Sequence, residues 1–221
     1  RVGDRAALAV MLLVNRDIMI RSVLLQAAFT SFVFLGARMG DVTLAANQVL
    51  MQFLAIISYA LDGFAFAAET LVGQAVGARA LPDARRAARL SMGWGVAGGV
   101  GMALAFALGG PAVIDLMTTA PDVRAEARAY LPWVVAAPLA GVAAWMFDGI
   151  FIGATLTAEM RRTMIVSSAI YAGAAILLVP AFANHGLWAA LMLFFVARGV
   201  TMGRVYARAF DPASGRFAIR P

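Results

Sequence analysis

Residues 44–76 read LAANQVLMQFLAIISYALDGFAFAAETLVGQAV. This run of 33 residues contains two charged side chains, Asp62 and Glu69. As a helix it would be about 50 Å long, whereas the hydrocarbon core of a bilayer is about 30 Å thick. Because lipid offers no partner for backbone N–H and C=O groups, a segment this long and apolar must be helical inside a membrane. The run therefore predicts a transmembrane helix that tilts, kinks or protrudes.

Five further segments have the same character, which makes the predicted fold an all-α membrane protein with six transmembrane helices. We place a cytoplasmic linker at residues 1–17, the six-helix transmembrane region at residues 18–207, and a cytoplasmic tail at residues 208–221. The five other predicted spans are Ile18–Ala37, Met92–Ile114, Ala129–Ala154, Thr163–Phe182 and Gly186–Ala207.

The composition excludes most soluble proteins. Apolar residues make up 62% of the chain and charged residues 14%, against about 45–50% and about 25% in soluble domains. The chain has no cysteine and a single histidine, His185, which argues against catalytic thiols and metal sites. All 18 basic residues are arginines, and they fall between apolar runs rather than on one polar face. We therefore expect membrane lipid, and not nucleic acid, as a partner.

The arginines also predict an orientation. Fourteen of them precede or open the first span, follow the second and fourth spans, or close the chain, whereas Arg38, Arg124 and Arg128 lie on the opposite side. The positive-inside rule then places both termini in the cytoplasm. The lack of Lys beside abundant Arg is typical of GC-rich bacterial coding, which points to a bacterial inner membrane. Leu81–Leu90 is expected to form a short helix in the interface or a solvated loop helix.

Charged and polar groups at membrane depth are the candidate functional residues, because burying them in lipid is costly. Because successive residues of an α-helix are rotated by about 100°, five of these groups fall within an arc of about 100° on one helix face. They are Gln48, Gln52, Tyr59, Asp62 and Glu69. Such a stripe is expected to face a water-filled cavity or other polar groups, where a carboxylate could carry a proton. The alternatives are a local kink at Asp62, a water-exposed Glu69, and hydrogen bonding between helices by the two glutamines.

A second Asp-Gly motif adds Asp148 to the candidates. Tyr59–Phe64 and Trp145–Ile150 both place an aromatic residue three positions before an aspartate and a glycine directly after it. The glycine would let another helix or a ligand come close. Arg198, the other charge well inside a predicted span, is expected to pair with one of the acids, as a structural charge, or to extend toward the interface.

Taken together, these motifs resemble the C-terminal half of a multidrug and toxin extrusion (MATE) transporter, in particular its DNA-damage-inducible F (DinF) branch. The resemblance runs from about Asn15 to Arg208. The motifs that carry it are Asn15–Arg21, Gly40–Asp41 with Leu44–Val49, Leu61–Glu69, Gly73–Ala78 and Asp148–Ala154.

The resemblance implies a twelve-helix exporter made of two six-helix lobes, which expels small organic, often cationic, compounds by exchange for protons or sodium. This chain would be the second lobe, helices seven to twelve, and its partner would be a missing N-terminal lobe or a second copy. Sodium-coupled members contribute acids from helices seven and ten. Asp148 matches the helix-ten position, but helix seven offers Gln26, so proton coupling is favoured. No cofactor other than the ion gradient is implied.

We expect Asp62, Glu69 and Asp148 to couple ion and substrate movement, with Gln48, Gln52, Tyr59 and Trp145 lining the path. Three alternatives stay open at this point: a lipid-linked sugar flippase of related architecture, a truncated lobe that is inactive alone, and a lipid-phosphate transferase. The last would need an Arg shortly after its first Asp-Gly and further aspartates beyond it. Phe64-Ala-Phe-Ala follows Asp62-Gly63 instead, so we do not expect an enzyme.

Overall fold

The computed structural model describes residues 5–211, without the side chains of residues 5–7 and 10. This part of the chain is all-helical, and each of its five helices is long and apolar enough to cross a membrane. Connections of three residues join them. The helices are α1 (Arg5–Ala37), α2 (Asp41–Gly77), α3 (Leu81–Met117), α4 (Pro121–Gly153) and α5 (Thr157–Ala209).

The helices are longer than the predicted spans. Helix α1 begins at Arg5 rather than Ile18, so most of the predicted linker is helical. Leu81–Leu90 is not a separate interfacial helix, because it forms the first turns of α3 without a break. Sequence windows follow hydrophobicity, whereas backbone hydrogen bonding continues past the last apolar residue, and this accounts for both differences in extent. The predicted tail beyond Asp211 lies outside the described residues.

Helix α5 is broken at Ala183, close to the gap that the sequence predicted between Phe182 and Gly186. Ala183 has φ 46° and ψ −126°, which no α-helix contains. Tyr171 and Phe194 lie 23 residues apart, about 35 Å in a straight helix, yet their ring centroids are 5.8 Å apart. The two arms of α5, residues 157–182 and 184–209, therefore fold back on each other.

A buried polar cluster holds this reversal against α2. Asn47 and Asn184 exchange amide hydrogen bonds of 2.8 and 3.0 Å. The Asn47 carbonyl oxygen also accepts a 3.0 Å bond from the indole N–H of Trp188. Because each of these groups would be costly to bury unpaired, the cluster fixes where the C-terminal arm starts.

Glycines bring the helices into close contact. Gly149 and Gly153 lie against the backbone of α2 at Ala65 and Glu69, where a Cβ atom would collide with main-chain atoms. On α3, Gly95 faces the Met146 side chain of α4 and Gly99 faces the Pro138 carbonyl oxygen of the same helix. Small residues at this spacing are typical of helix pairs within membranes.

The outer surface is apolar. Large hydrophobic side chains are strongly exposed on several helices, with Leu108 and Leu116 each 86% exposed and Ile176 and Leu177 each 73%. Water would not favour such a surface, whereas hydrocarbon solvates it without cost. The fold thus surrounds a packed interior with apolar faces that suit lipid. Charged groups inside it are costly and need an explanation.

Candidate functional site

The central charge of the interior is Asp148, which α4 places directly beside its contact with α2. Its Oδ2 atom accepts a 2.6 Å hydrogen bond from Nη2 of Arg198, on the C-terminal arm of α5. Nη2 of Arg21, on α1, donates to the same oxygen. Asp148 and Arg198 are 7% and 2% exposed, so this is an ion-pair cluster removed from bulk solvent. One carboxylate therefore holds two guanidinium groups from two other helices.

The cluster is not fully satisfied. Asp148 Oδ1, Arg21 Nε and Arg198 Nε are buried without a hydrogen-bond partner. Across the described residues, only Ser168 adds another buried polar side-chain atom of this kind. Buried polar groups are rarely left unpaired unless water or a ligand completes them. The unpaired atoms therefore mark a place where a polar molecule would be stabilised.

A cavity of about 140 Å³ adjoins the cluster. Asp62 of α2 and Ser58, one turn before it, contribute polar groups to its wall. Asp62 is partly buried and makes no hydrogen bond or ion pair with any described residue. The cavity thus contains one acid that is bound by two arginines and another that is free. Its lining residues are Arg21, Leu25, Phe29, Ser58, Asp62, Trp145, Asp148, Phe195 and Arg198.

Aromatic side chains form the apolar part of the wall. The rings of Trp145 and Phe195 lie 5.1 Å apart and are tilted by 45°. Phe29 lies 6.3 Å from Phe195. Aromatic faces next to a carboxylate can bind an organic cation, because the ring quadrupole and the negative charge both attract it.

The structure brings together three of the predicted site residues, Asp62, Asp148 and Trp145. Arg198 pairs with Asp148, as its position in the last span predicted. Glu69 is partly buried and lies outside the cavity, with its backbone against Gly153.

The remaining predicted residues form a surface. Gln48, Gln52 and Tyr59 are exposed on α2, and Tyr59 is 78% exposed. They lie opposite the buried face of that helix, which includes Leu50, Ile57 and Leu61. We call these three residues the α2 polar stripe. Within this chain the stripe does not line the central cavity.

Sequence reasoning missed Arg21. It was counted among the arginines of the cytoplasmic side, but its side chain is 16% exposed and points to Asp148. The number of arginines assigned to the cytoplasmic side therefore falls from fourteen to thirteen. The available signal was its position, because the predicted first span began at Ile18 and already enclosed it. Nearer the start of α1, Asp17 is buried and pairs with Arg161 of α5.

Apolar helices around a buried charged cavity define a polytopic membrane protein with a central polar site. The chain belongs to the MatE family, whose model matches residues 18–181. It is 42% identical to DNA damage-inducible protein F of Escherichia coli strain K12 over 205 residues, covering 90% of this chain and 43% of that protein. Protein DETOXIFICATION 44, chloroplastic, from Arabidopsis thaliana, is 24% identical over 178 residues, with 80% and 34% covered.

Solved structures agree on the fold. A MOP superfamily transporter from Pyrococcus furiosus superposes with a TM-score of 0.81 at 16% identity, covering 94% of this chain and 46% of that one. The Vibrio cholerae MATE transporter VcmN in its bent form also gives 0.81, at 15% identity, covering 91% and 46%. MATE proteins are transporters and not enzymes, so the transferase alternative is excluded. The chain spans less than half the length of each of these relatives.

Proposed function

We propose that the chain is the second six-helix lobe of a twelve-helix efflux transporter that exports small organic cations in exchange for protons. The break at Ala183 supports six helices, because it divides the fifth apolar helix into two arms that each exceed the ~20 residues needed to cross a bilayer. The relatives are more than twice as long as the matched region, which leaves room for a preceding lobe of similar size.

The α2 polar stripe supports a second lobe. Two glutamines and a tyrosine would lose their hydrogen bonds if that face of α2 met hydrocarbon. A water-filled cleft between two lobes would solvate them. The same cleft would give access to Asp62, which follows Tyr59 by one turn on the edge of the stripe.

The observation that carries the coupling proposal is the difference between the two aspartates. Asp148 is neutralised by Arg21 and Arg198, whereas Asp62 has no partner. With Asp62 ionised, the four charged groups of the cavity sum to zero and an organic cation can take Asp62 as its counterion. With Asp62 protonated, the cavity is net positive and repels the same cation. Proton and cation would then compete, which is the requirement for antiport.

Asp148 takes a supporting role in this proposal. Its carboxylate keeps two arginines in place and compensates their charge, so that the protonation of Asp62 decides the net charge of the cavity. Glu69 would act outside the cavity or not at all. Trp145 would supply an aromatic face for the cation.

Proton coupling fits the cavity better than sodium coupling. Hard cations prefer several oxygen ligands, and within residues 5–211 no group of three or more His, Asp or Glu side chains could hold a metal ion. Gln26, which stands where an acid would be expected, is exposed and contacts Thr30 instead.

The arginine distribution still favours an inner-membrane protein of a bacterium with both termini in the cytoplasm. Arg79, Arg85, Arg86 and Arg89 follow α2, and Arg204 and Arg208 close α5 on the same side. A reporter fused after Arg208 that is active only in the cytoplasm would test this orientation.

The experiment for the coupling proposal uses the complete transporter, with both lobes, in proteoliposomes. We expect Asp62→Asn to abolish accumulation of a fluorescent organic cation driven by a pH gradient. Asp122→Asn serves as the matched control, because Asp122 is an exposed acid in the first turn of α4. Full transport by Asp62→Asn at equal protein content would refute the role of Asp62. Accumulation driven by a sodium gradient at constant pH would refute proton coupling.

A further inference from the structure

A second site of interest is a cavity that lies away from the central site. It has a volume of about 430 Å³ and opens between the start of α3 and the end of α5. Arg85 and Arg89 are separated by one helical turn, so both can direct their guanidinium groups into it. Neither makes an ion pair or hydrogen bond with another described residue. The lining consists of Pro82, Arg85, Arg89, Tyr206, Ala207 and Phe210.

A separate cavity of about 190 Å³ adjoins the first. The two share Arg89 and Tyr206, but the second is otherwise lined by apolar side chains. The Tyr206 ring forms the common wall and packs 5.5 Å from Phe147 and 4.5 Å from Phe210. The apolar lining residues are Ala88, Met92, Phe147 and Ile150.

We propose that these two adjoining cavities together bind an anionic phospholipid. The phosphate would lie between Arg85 and Arg89, because guanidinium groups bind phosphate oxygens through paired hydrogen bonds. The Tyr206 hydroxyl can donate a further bond. One acyl chain would occupy the apolar cavity along Met92 and Ile150. A free phosphate would use only the basic part, so the apolar continuation favours a lipid.

The position suits a headgroup. The site lies at the end of the bundle where arginines are most frequent, at the start of α3 and the end of α5. Anionic lipids of the cytoplasmic leaflet attract basic residues there. The proposal does not depend on the transport mechanism, since none of the cavity's residues belongs to the central site.

The test measures lipid retention by the purified full chain in detergent, using native mass spectrometry with phosphatidylglycerol or phosphatidylcholine. We expect phosphatidylglycerol to bind about tenfold or more tightly, and the variant Arg85→Gln/Arg89→Gln to lose this preference. Arg86→Gln is the control, because Arg86 is exposed on the same turn but does not line either cavity. Equal preference in the double variant and the control would overturn the proposal.

Two further experiments distinguish a lipid from a free phosphate and from the chain's own C-terminus as the group that fills the site. We expect inorganic phosphate and glycerol phosphate not to displace the lipid; full displacement would indicate a site for free anions and overturn the lipid assignment. Lipid binding that appears only after removal of residues 212–221 would show that the chain's own C-terminus occupies the site. If the double variant is unstable, the lipid-induced rise in Tm of Arg85→Gln alone, compared with Arg86→Gln, gives the same decision.

Discussion

Asp62 and Asp148 have similar local sequences: a glycine follows each of them directly, and an aromatic residue stands three positions before each. Their surroundings differ. Asp148 meets Arg198 at 2.6 Å and also Arg21, whereas Asp62 lines the same cavity without a partner. In our proposal Asp148 is the fixed counterion of the two arginines, and Asp62 is the acid that a proton or an organic cation can occupy. The different roles that we propose for the two acids therefore rest on what surrounds each of them.

At this scale we predict that Asp148→Asn destabilises the protein strongly. It leaves the buried guanidinium groups of Arg21 and Arg198 uncompensated, at a cost of about 3–5 kcal/mol. The double variant Asp148→Asn/Arg198→Gln removes one charge of each sign and should recover most of the loss. Thermal unfolding in detergent measures both.

The matched control for these variants is Asp115→Asn, which breaks a 2.6 Å ion pair with Arg128. The side chains of Asp115 and Arg128 are 39% and 46% exposed. We expect a change of about 0–1 kcal/mol. A double variant that is no more stable than Asp148→Asn would show that the buried cluster is not held together by charge compensation.

Among the helices, the close approach of α2 and α4 depends on a few glycines. Gly149 faces the Ala65 backbone and Gly153 faces the Glu69 backbone. This contact sets the distance between the two acids, because Asp148 directly precedes Gly149 and Asp62 lies within one turn of Ala65. Gly63, the glycine of the other Asp-Gly pair, has open space around it and makes no such contact.

The two glycines give a direct comparison. We predict that Gly149→Ala lowers stability by about 1–3 kcal/mol, since a Cβ there meets main-chain atoms that cannot move aside. Gly63→Ala should leave stability within about 1 kcal/mol of the parent protein. Unfolding temperatures in the same detergent provide the measurement, and equal effects of the two substitutions would contradict the packing described for α2 and α4.

Much at the level of elements was predictable from sequence. Long apolar runs identified every helix and the gap near Ala183, because lipid leaves helix as the only structure for such segments. The ends of the helices were harder to predict, because Leu81–Leu90 is polar enough to resemble a separate helix. Arg21 lay inside the first predicted span, but its partner could not be predicted, because only the folded structure shows that this arginine meets Asp148.

For the whole molecule, the described chain has a polar face that its own fold does not cover. Gln48, Gln52 and Tyr59 are exposed on α2, and the chain spans less than half of its relatives. Both facts fit a lobe that operates against a second one across a cleft. The stripe was predictable from helical periodicity, but its separation from the central cavity was not, because periodicity does not say which neighbour a face meets.

We predict that this chain alone, reconstituted in vesicles, transports organic cations no faster than empty vesicles. Reconstituted together with a six-helix first lobe, it should accumulate them when a pH gradient is imposed. Transport by the isolated chain, with cross-linking between copies through cysteines introduced at Gln48 or Gln52, would show instead that two copies form the cleft.

The most direct test of the account measures how the affinity for an organic cation depends on pH in the complete transporter. Linkage requires protonation of Asp62 to weaken cation binding, by about 5–150-fold for a typical coupling free energy. We predict that this dependence disappears in Asp62→Asn and persists, at weaker overall affinity, in Asp148→Asn. An affinity that still falls with acidification in Asp62→Asn, but no longer does so in Asp148→Asn, would contradict the assignment of Asp62 as the acid that exchanges protons.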